Sequence, residues 1–236
     1  YPLMLDYMRC MLEGKSLRAC ANEVGICLKT SFEWRHKILA AIRALEGGIS
    51  FSGIVEADEL LMNYSEKGRK FKNKEEYQRA KRKKHPKVAV LVVTDREGNL
   101  LFKQVGEKKV KNEQLRDELK SRLSENNLIC VKPKKEFRKG VKGLQSKKVI
   151  VNKRQIKRGI YSVKIVENKI SDFKTWLSRF HGVATKYLQS YLMWFVIMNK
   201  YLKELIDPDI GRLLNLSSHD RWAWDKYREI VSQRYD

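Results

Sequence analysis

Two acids stand where a metal-dependent nucleic-acid enzyme carries its carboxylates, and a lysine follows the strand expected between them. Asp58 ends the strand-like run Ile54-Val55-Glu56-Ala57-Asp58, Glu167 opens a helix, and the buried-strand pattern Leu128-Ile129-Cys130-Val131 is followed by Lys132. Cleaving or transferring a phosphodiester with two divalent cations requires carboxylates that hold the ions about 3.5–4 Å apart, one activating the attacking oxygen and the other stabilising the leaving one. Asp58 suits that task. Glu59 follows the strand end and Glu56 is assigned to the strand's opposite face, so neither competes with it. A lone strand-end aspartate also serves as a turn or cap residue, so Asp58 needs partners to carry the chemical reading.

The elements that must position these groups read as an α/β domain behind a small all-α module. From Leu3 to about Arg43 apolar residues recur at helical spacing, broken at Glu13-Gly14-Lys15 and at Val24-Gly25-Ile26-Cys27. Ser16 caps one helix, Gly25 supplies a permissive turn, and a longer helix follows through Phe32, Trp34 and Ile38, which is helix-turn-helix spacing. Its N-terminal end would present Lys29, Thr30, Ser31 and Arg35 to phosphates and base edges, while Trp34 belongs to the core. An ordinary three-helix packing motif has the same spacing. Beyond Glu46-Gly47-Gly48 the period changes to strands: Phe51 to Ala57, Lys87 to Thr94 and Leu100 to Val105, the last two a hairpin around Asp95-Arg96-Glu97-Gly98-Asn99. An amphipathic helix from Asn112 to Leu123, the strand Leu128 to Val131, a helix or loop, the strand Val149 to Val151 and further helices complete an order that predicts an RNase H-like mixed sheet with flanking helices.

Fifty Lys and Arg against 28 Asp and Glu give a net charge of +22, which points to a polyanionic partner and to binding that weakens with salt. Two stretches hold most of the excess. Residues 69–87 carry Arg79, Lys81, Arg82, Lys83 and Lys84, and residues 132–158 carry Lys134 and Lys135 among many cations with one acid, Glu136. These are expected to line the nucleic-acid backbone, although a charge run is also an ordinary solvated loop. Four cysteines without C-x-x-C spacing, Cys10, Cys20, Cys27 and Cys130, read as buried thiols rather than zinc ligands or disulfides. The longest apolar stretch is too short for a membrane span and no leader opens the chain, so a cytoplasmic protein is expected. The aromatic stripe Trp176, Phe180, Tyr187, Tyr191, Trp194 and Phe195 has core spacing, and Trp222, Trp224 and Tyr227 read as anchors of a last helix.

The segments Thr30 to Ile38, Gly53 to Glu59 and above all Arg179-Phe180-His181-Gly182-Val183-Ala184-Thr185-Lys186-Tyr187-Leu188-Gln189-Ser190-Tyr191-Leu192-Met193-Trp194 resemble the ISXO-like DDE transposases of bacterial insertion sequences. The resemblance implies a helix-turn-helix (1–45), an RNase H-like domain (46–205) with a basic insertion at about 63–87, and a helical extension (206–236). It further implies Asp58 and Glu167 as catalytic ligands of Mg²⁺ or Mn²⁺, Lys174 as a phosphate contact, double-stranded DNA with terminal inverted repeats as partner, a homo-oligomer, and a bacterial, nucleoid-associated protein. The family's second aspartate falls at Lys132, where an ammonium cannot ligate a cation and adds charge where two more would bind. Glu136, Asp95, Asp117 and Asp172 are the acids that could substitute, and Ser162 takes the place of a family histidine. Two functions follow: DDE-type strand cleavage and transfer if the site is intact, or a non-catalytic DNA-binding or regulatory protein of the same descent. An RNA-directed role is weaker, because a helix-turn-helix suits the DNA major groove.

Overall fold

In the computed structural model, which describes residues 2–152, 160–201 and 221–232, three helices lead into a mixed five-stranded sheet. They are α1 (Pro2–Leu12), α2 (Leu17–Val24) and α3 (Leu28–Ile42), followed by a 3₁₀ turn (Arg43–Gly48). Ser16 adopts an extended conformation, and its hydroxyl accepts the Ala19 N–H, starting α2. Gly25, at φ 71°, ends α2 in the left-handed conformation that a side chain disfavours. Cys27 is exposed and its sulfur caps α3 by accepting the Thr30 N–H, so the expectation of a fourth buried thiol is corrected; the other three are buried.

The strands are β1 (Ile54–Met62), β2 (Val88–Asp95), β3 (Leu100–Glu107), β4 (Leu128–Val131) and β5 (Lys147–Ile150). Their spatial order is β3-β2-β1-β4-β5, with β1–β2 and β2–β3 antiparallel and β1–β4 and β4–β5 parallel. An antiparallel meander followed by two parallel crossovers is the RNase H-like arrangement that the element order predicts. The parallel pairs need crossover segments, and α5 (Asn112–Lys120) and α6 (Lys135–Lys142) lie in them. Helix α4 (Lys74–Arg82) lies in the basic insertion before β2. Helices α7 (Lys164–Ser178), α8 (Thr185–Tyr201) and α9 (Arg221–Ser232) follow the sheet.

Alternation along β1 divides the core. Val55 and Ala57 join Leu115, Leu119, Phe137 and Val141 of α5 and α6 on one face. Leu60 joins Val166, Phe173, Leu192 and Trp194 of α7 and α8 on the other. The second cluster continues into Tyr7, Cys20 and Leu39, so the change of secondary structure near residue 45 is not a break in the core. Helix α8 is buried from Tyr187 to Met198, on all sides, as suits a central helix. The aromatic stripe is core as expected, with Trp176 5.0 Å from Trp194 and Phe180 5.2 Å from Tyr191, centroid to centroid. Tyr227 is half-buried on α9, which packs on α3; the side chains of Trp222 and Trp224 lie outside the described residues.

Candidate active site

Strand β1 runs four residues past Asp58, which therefore sits in mid-strand opposite Val92 rather than at a strand end. Polar Glu59 interrupts the apolar pattern there, while Leu60 and Met62 still pack on the α7–α8 face. The pairing Ala57 with Val131 brings the C-terminal end of β4 beside Asp58, so Lys132, one residue further on, faces it. Helix α7 brings Glu167 in its first turn.

The three residues singled out by spacing are thus assembled in space, with the ammonium in the middle. Lys132 Nζ lies 2.5 Å from Asp58 Oδ2 and 2.6 Å from Glu167 Oε1. A second ammonium, Lys134 Nζ, lies 3.2 Å from Asp58 Oδ1 and 2.8 Å from Glu59 Oε1. Asp58 is buried and both of its oxygens are committed to lysines, whereas Lys132, Lys134 and Glu167 keep part of their surface in solvent. Burial alone would lower the Lys132 pKa, but the hydrogen bonds and charges of Asp58 and Glu167 outweigh it, and the group is held above the ordinary lysine range. Lys132 is therefore a fixed cation at neutral pH.

Glu56 shares Asp58's face, not the opposite one, because residues two apart on a strand point the same way. It is buried and receives the first turn of α7: Oε2 accepts the N–H groups of Ile165 (2.8 Å) and Val166 (3.1 Å), and Oε1 accepts the Ser162 hydroxyl (3.0 Å). These are helix N-terminal donors with no partner within the helix. Glu56 is the functional residue that spacing misses, since it latches α7 to β1 and so fixes Glu167 relative to Asp58. Ser162 serves the same latch.

None of the four acids that could substitute, Asp95, Glu136, Asp117 and Asp172, pairs with Lys132 or Lys134 among the described residues. Asp95 is buried and anchors the β2–β3 turn by accepting from Ser52, Glu97 and Asn99. Glu136 pairs with Lys109 at 2.5 Å, and Asp117 and Asp172 are exposed on α5 and α7. Lys174 is exposed two turns along α7 from Glu167, outside the ion-pair network. No group of three or more metal-ligating side chains occurs among the described residues. The donor set does not suit Mg²⁺ or Mn²⁺: the two carboxylates share an ammonium that occupies the space between them, offsets one of their charges and has no lone pair to offer.

Among the proposed nucleic-acid contacts, Lys29 is exposed at the start of α3 and Thr30 is partly exposed, but Ser31 and Arg35 are fully buried and cannot reach a groove. Ser31 accepts or shares hydrogen bonds with Tyr7 and donates to the Leu17 carbonyl, and Arg35 donates to the Lys15 carbonyl at 2.7 Å. The face of α3 that carries them packs on α1, α2 and α8. Arg79, Lys81, Arg82, Lys83, Lys84 and Lys135 are exposed, whereas Lys134 is drawn into the carboxylate site.

Residues 50–197 match the family model described as the ISXO2-like transposase domain. No curated protein sequence matches the chain. Among solved structures it is similar to one described as the crystal structure of a pre-cleavage Mos1 transpososome, at 9% identity and a TM-score of 0.37, over 93% of this chain and 75% of that one.

Proposed function

The chain belongs to the ISXO2-like transposase domain family, and from that premise we propose that it is a duplex-DNA-binding member of transposase descent whose DDE-type centre does not cleave. One observation carries the catalytic half of this reading. Lys132 Nζ sits between Asp58 and Glu167, at 2.5 and 2.6 Å, where divalent cations would have to bind. An ammonium in that place supplies neither a metal-bound nucleophile nor stabilisation for a leaving oxygen. Asp58 and Glu167 then act as partners of Lys132 and Lys134 rather than as metal ligands, and Lys174 is left as a surface cation available to a phosphate.

The DNA half rests on charge. The exposed cations of α6 and β5, namely Lys135, Arg138, Lys139, Lys142, Lys147 and Lys148, form a surface beside the site whose nearest acid, Glu136, is already paired. Pro133, Lys135, Arg138, Lys139 and Lys142 border a shallow cleft there. Such a surface tracks a phosphate backbone, with terminal inverted repeats as the proposed target and Lys29 and Thr30 of α3 as the remaining helix-turn-helix contacts.

The test uses a duplex that ends in the terminal repeat of the surrounding element. The wild-type chain should retard it in a gel without nicking it in Mg²⁺ or Mn²⁺, and should show no calorimetric heat of divalent binding. Lys132→Asp should gain that heat. Nicking by the wild type that disappears in Asp58→Ala would overturn the inactive assignment, and failure to bind any duplex would overturn the DNA assignment.

A further inference from the structure

Away from the carboxylate site, a cleft of about 480 Å³ opens between α2–α3 and the segment that joins α7 to α8. Its size is that of small-molecule sites, which span roughly 300–1,000 Å³. The walls are mainly apolar, with Leu28 and Phe32 on one side and Val183 and Tyr187 on the other. Leu28 is a large apolar side chain left 46% exposed at the mouth.

The charged groups of the cleft all have one sign. Arg18, Arg35 and Lys67 line it and no Asp or Glu does. Lys67 bridges the carbonyls of His181 and Gly182 at 2.7 and 2.9 Å, closing one rim of the cleft while keeping its charge. Arg35 is the unusual member. Its guanidinium is fully buried, and a guanidinium does not deprotonate. Nη2 donates to the Lys15 carbonyl and lies 3.2 Å from Cys20 Sγ, and the group stacks 5.1 Å from the Trp194 ring centroid and 5.6 Å from that of Phe180. Nε and Nη1 make no hydrogen bond of normal geometry, although the Tyr7 and Tyr191 hydroxyls feel the guanidinium, and among the described residues no carboxylate forms an ion pair with Arg35. Buried cations are ordinarily paired with an anion, and a planar fork with unused donors matches a carboxylate. His36, wedged 4.0 Å from the Tyr187 ring and 4.3 Å from Phe32, is kept neutral by burial, with a pKa pushed down to about 3, and adds no competing charge.

We propose that this cleft is a binding site for a small organic monoanion: an aromatic or aliphatic body seated against Leu28, Phe32, Val183 and Tyr187, with its carboxylate-type head directed at Arg35. A phosphate-rich ligand fits less well, because the walls offer few further donors to a multiply charged group.

A matched pair of fluorescent probes tests this on the full chain: 8-anilinonaphthalene-1-sulfonate and N-phenyl-1-naphthylamine, which share the aromatic body and differ by the anionic group. The anionic probe should saturate at one site per chain and bind at least about tenfold tighter than the neutral one, the scale of a charged hydrogen bond. Arg35→Gln should bring the two probes level. Because Arg35 is buried and that variant could fail to fold, Leu28→Glu gives an independent reading. An acid at the exposed first position of α3 suits the helix dipole and keeps the fold, yet should weaken the anionic probe by about fivefold through repulsion across the mouth. Lys120→Gln, at the exposed end of α5, changes net charge by the same single unit and should leave the affinity unchanged. Equal binding of the two probes, or equal losses in Leu28→Glu and Lys120→Gln, would show only general attraction to a basic protein and would overturn the proposal.

Discussion

At the scale of single residues, Lys132 acts as a replacement for bound cations rather than as a gap. Asp58 is shared by two ammoniums, Lys132, which also pairs with Glu167, and Lys134, which also pairs with Glu59. Lys132→Ala would leave buried Asp58 facing Glu167 with Lys134 alone as counter-charge. The expected loss lies between that of a surface pair, up to about 1 kcal/mol, and that of a broken buried pair, about 3–5 kcal/mol. Lys132 is partly exposed and Asp58 is not, so about 2 kcal/mol is the expected lowering in urea titration at pH 7, recovered in part by Mg²⁺. An unchanged midpoint would make the lysine a bystander. The identity of this residue was plain in the sequence, because β4 reads as a buried strand and its end could be counted. Ser31 and Arg35 were not legible in the same way: helical spacing marks an N-terminal end, but only the packing of α3 on α1, α2 and α8 decides which polar side chains turn inward.

At the scale of elements, the position of Glu167 depends on how α7 is fastened to β1, and Glu56 is the fastener. Its pKa is raised, burial being the largest influence and exceeding the opposing effects of the Val166, Ser162 and Ile165 hydrogen bonds and of Arg96. A proton is therefore held more tightly in the folded than in the unfolded chain. The contribution of Glu56 to stability is fully present below the ordinary glutamate range and is lost as pH rises through the raised value. Glu56→Gln keeps an acceptor for α7 without this titration, so the stability of the variant minus that of wild type should increase from pH 4 to pH 7 in parallel urea titrations. A difference that is flat with pH would mean that the carboxyl is not desolvated. Strongly patterned elements such as β2, β4 and α8 were readable because apolar period and length determine them. Helix α4 buries no side chain and is specified by its Asn73 cap, with Glu75 and Glu76 in the first turn and basic residues in the last, so its sequence resembles a charged loop. The latch is not legible in the sequence because an inward-pointing acid on a strand has no visible reason until α7 docks and its N–H groups donate to it.

At the scale of the whole molecule, net charge predicts a polyanionic partner but not the surface that meets it. Periodicity likewise separated a helical module from a sheet domain without revealing that Tyr7, Leu39, Leu60 and Trp194 share one core. That continuity ties α3 rigidly to α8, and with Arg35 and Ser31 inside, α3 offers fewer contacts than helix-turn-helix spacing suggests. The α6–β5 surface should then supply most of the phosphate contacts, and salt dependence can apportion them. Each phosphate neutralised on duplex DNA contributes about 0.9 to the slope of log K against log salt. Arg138→Ser, Lys139→Ser and Lys142→Ser together remove three exposed cations from one face of α6, whose opposite face is held by Phe137 and Val141. The slope should therefore fall by about 2 to 3, with the loss similar for any duplex sequence. The matched triple change on α4, Arg79→Ser, Lys81→Ser and Arg82→Ser, should lower it by less, since that helix lies in the insertion before β2 rather than beside β4 and β5. Lys29→Ser should cost about one contact. If the α4 variant lowers the slope by as much as the α6 variant or more, the DNA path runs over the insertion, and the surface beside Lys132 is not the principal backbone contact.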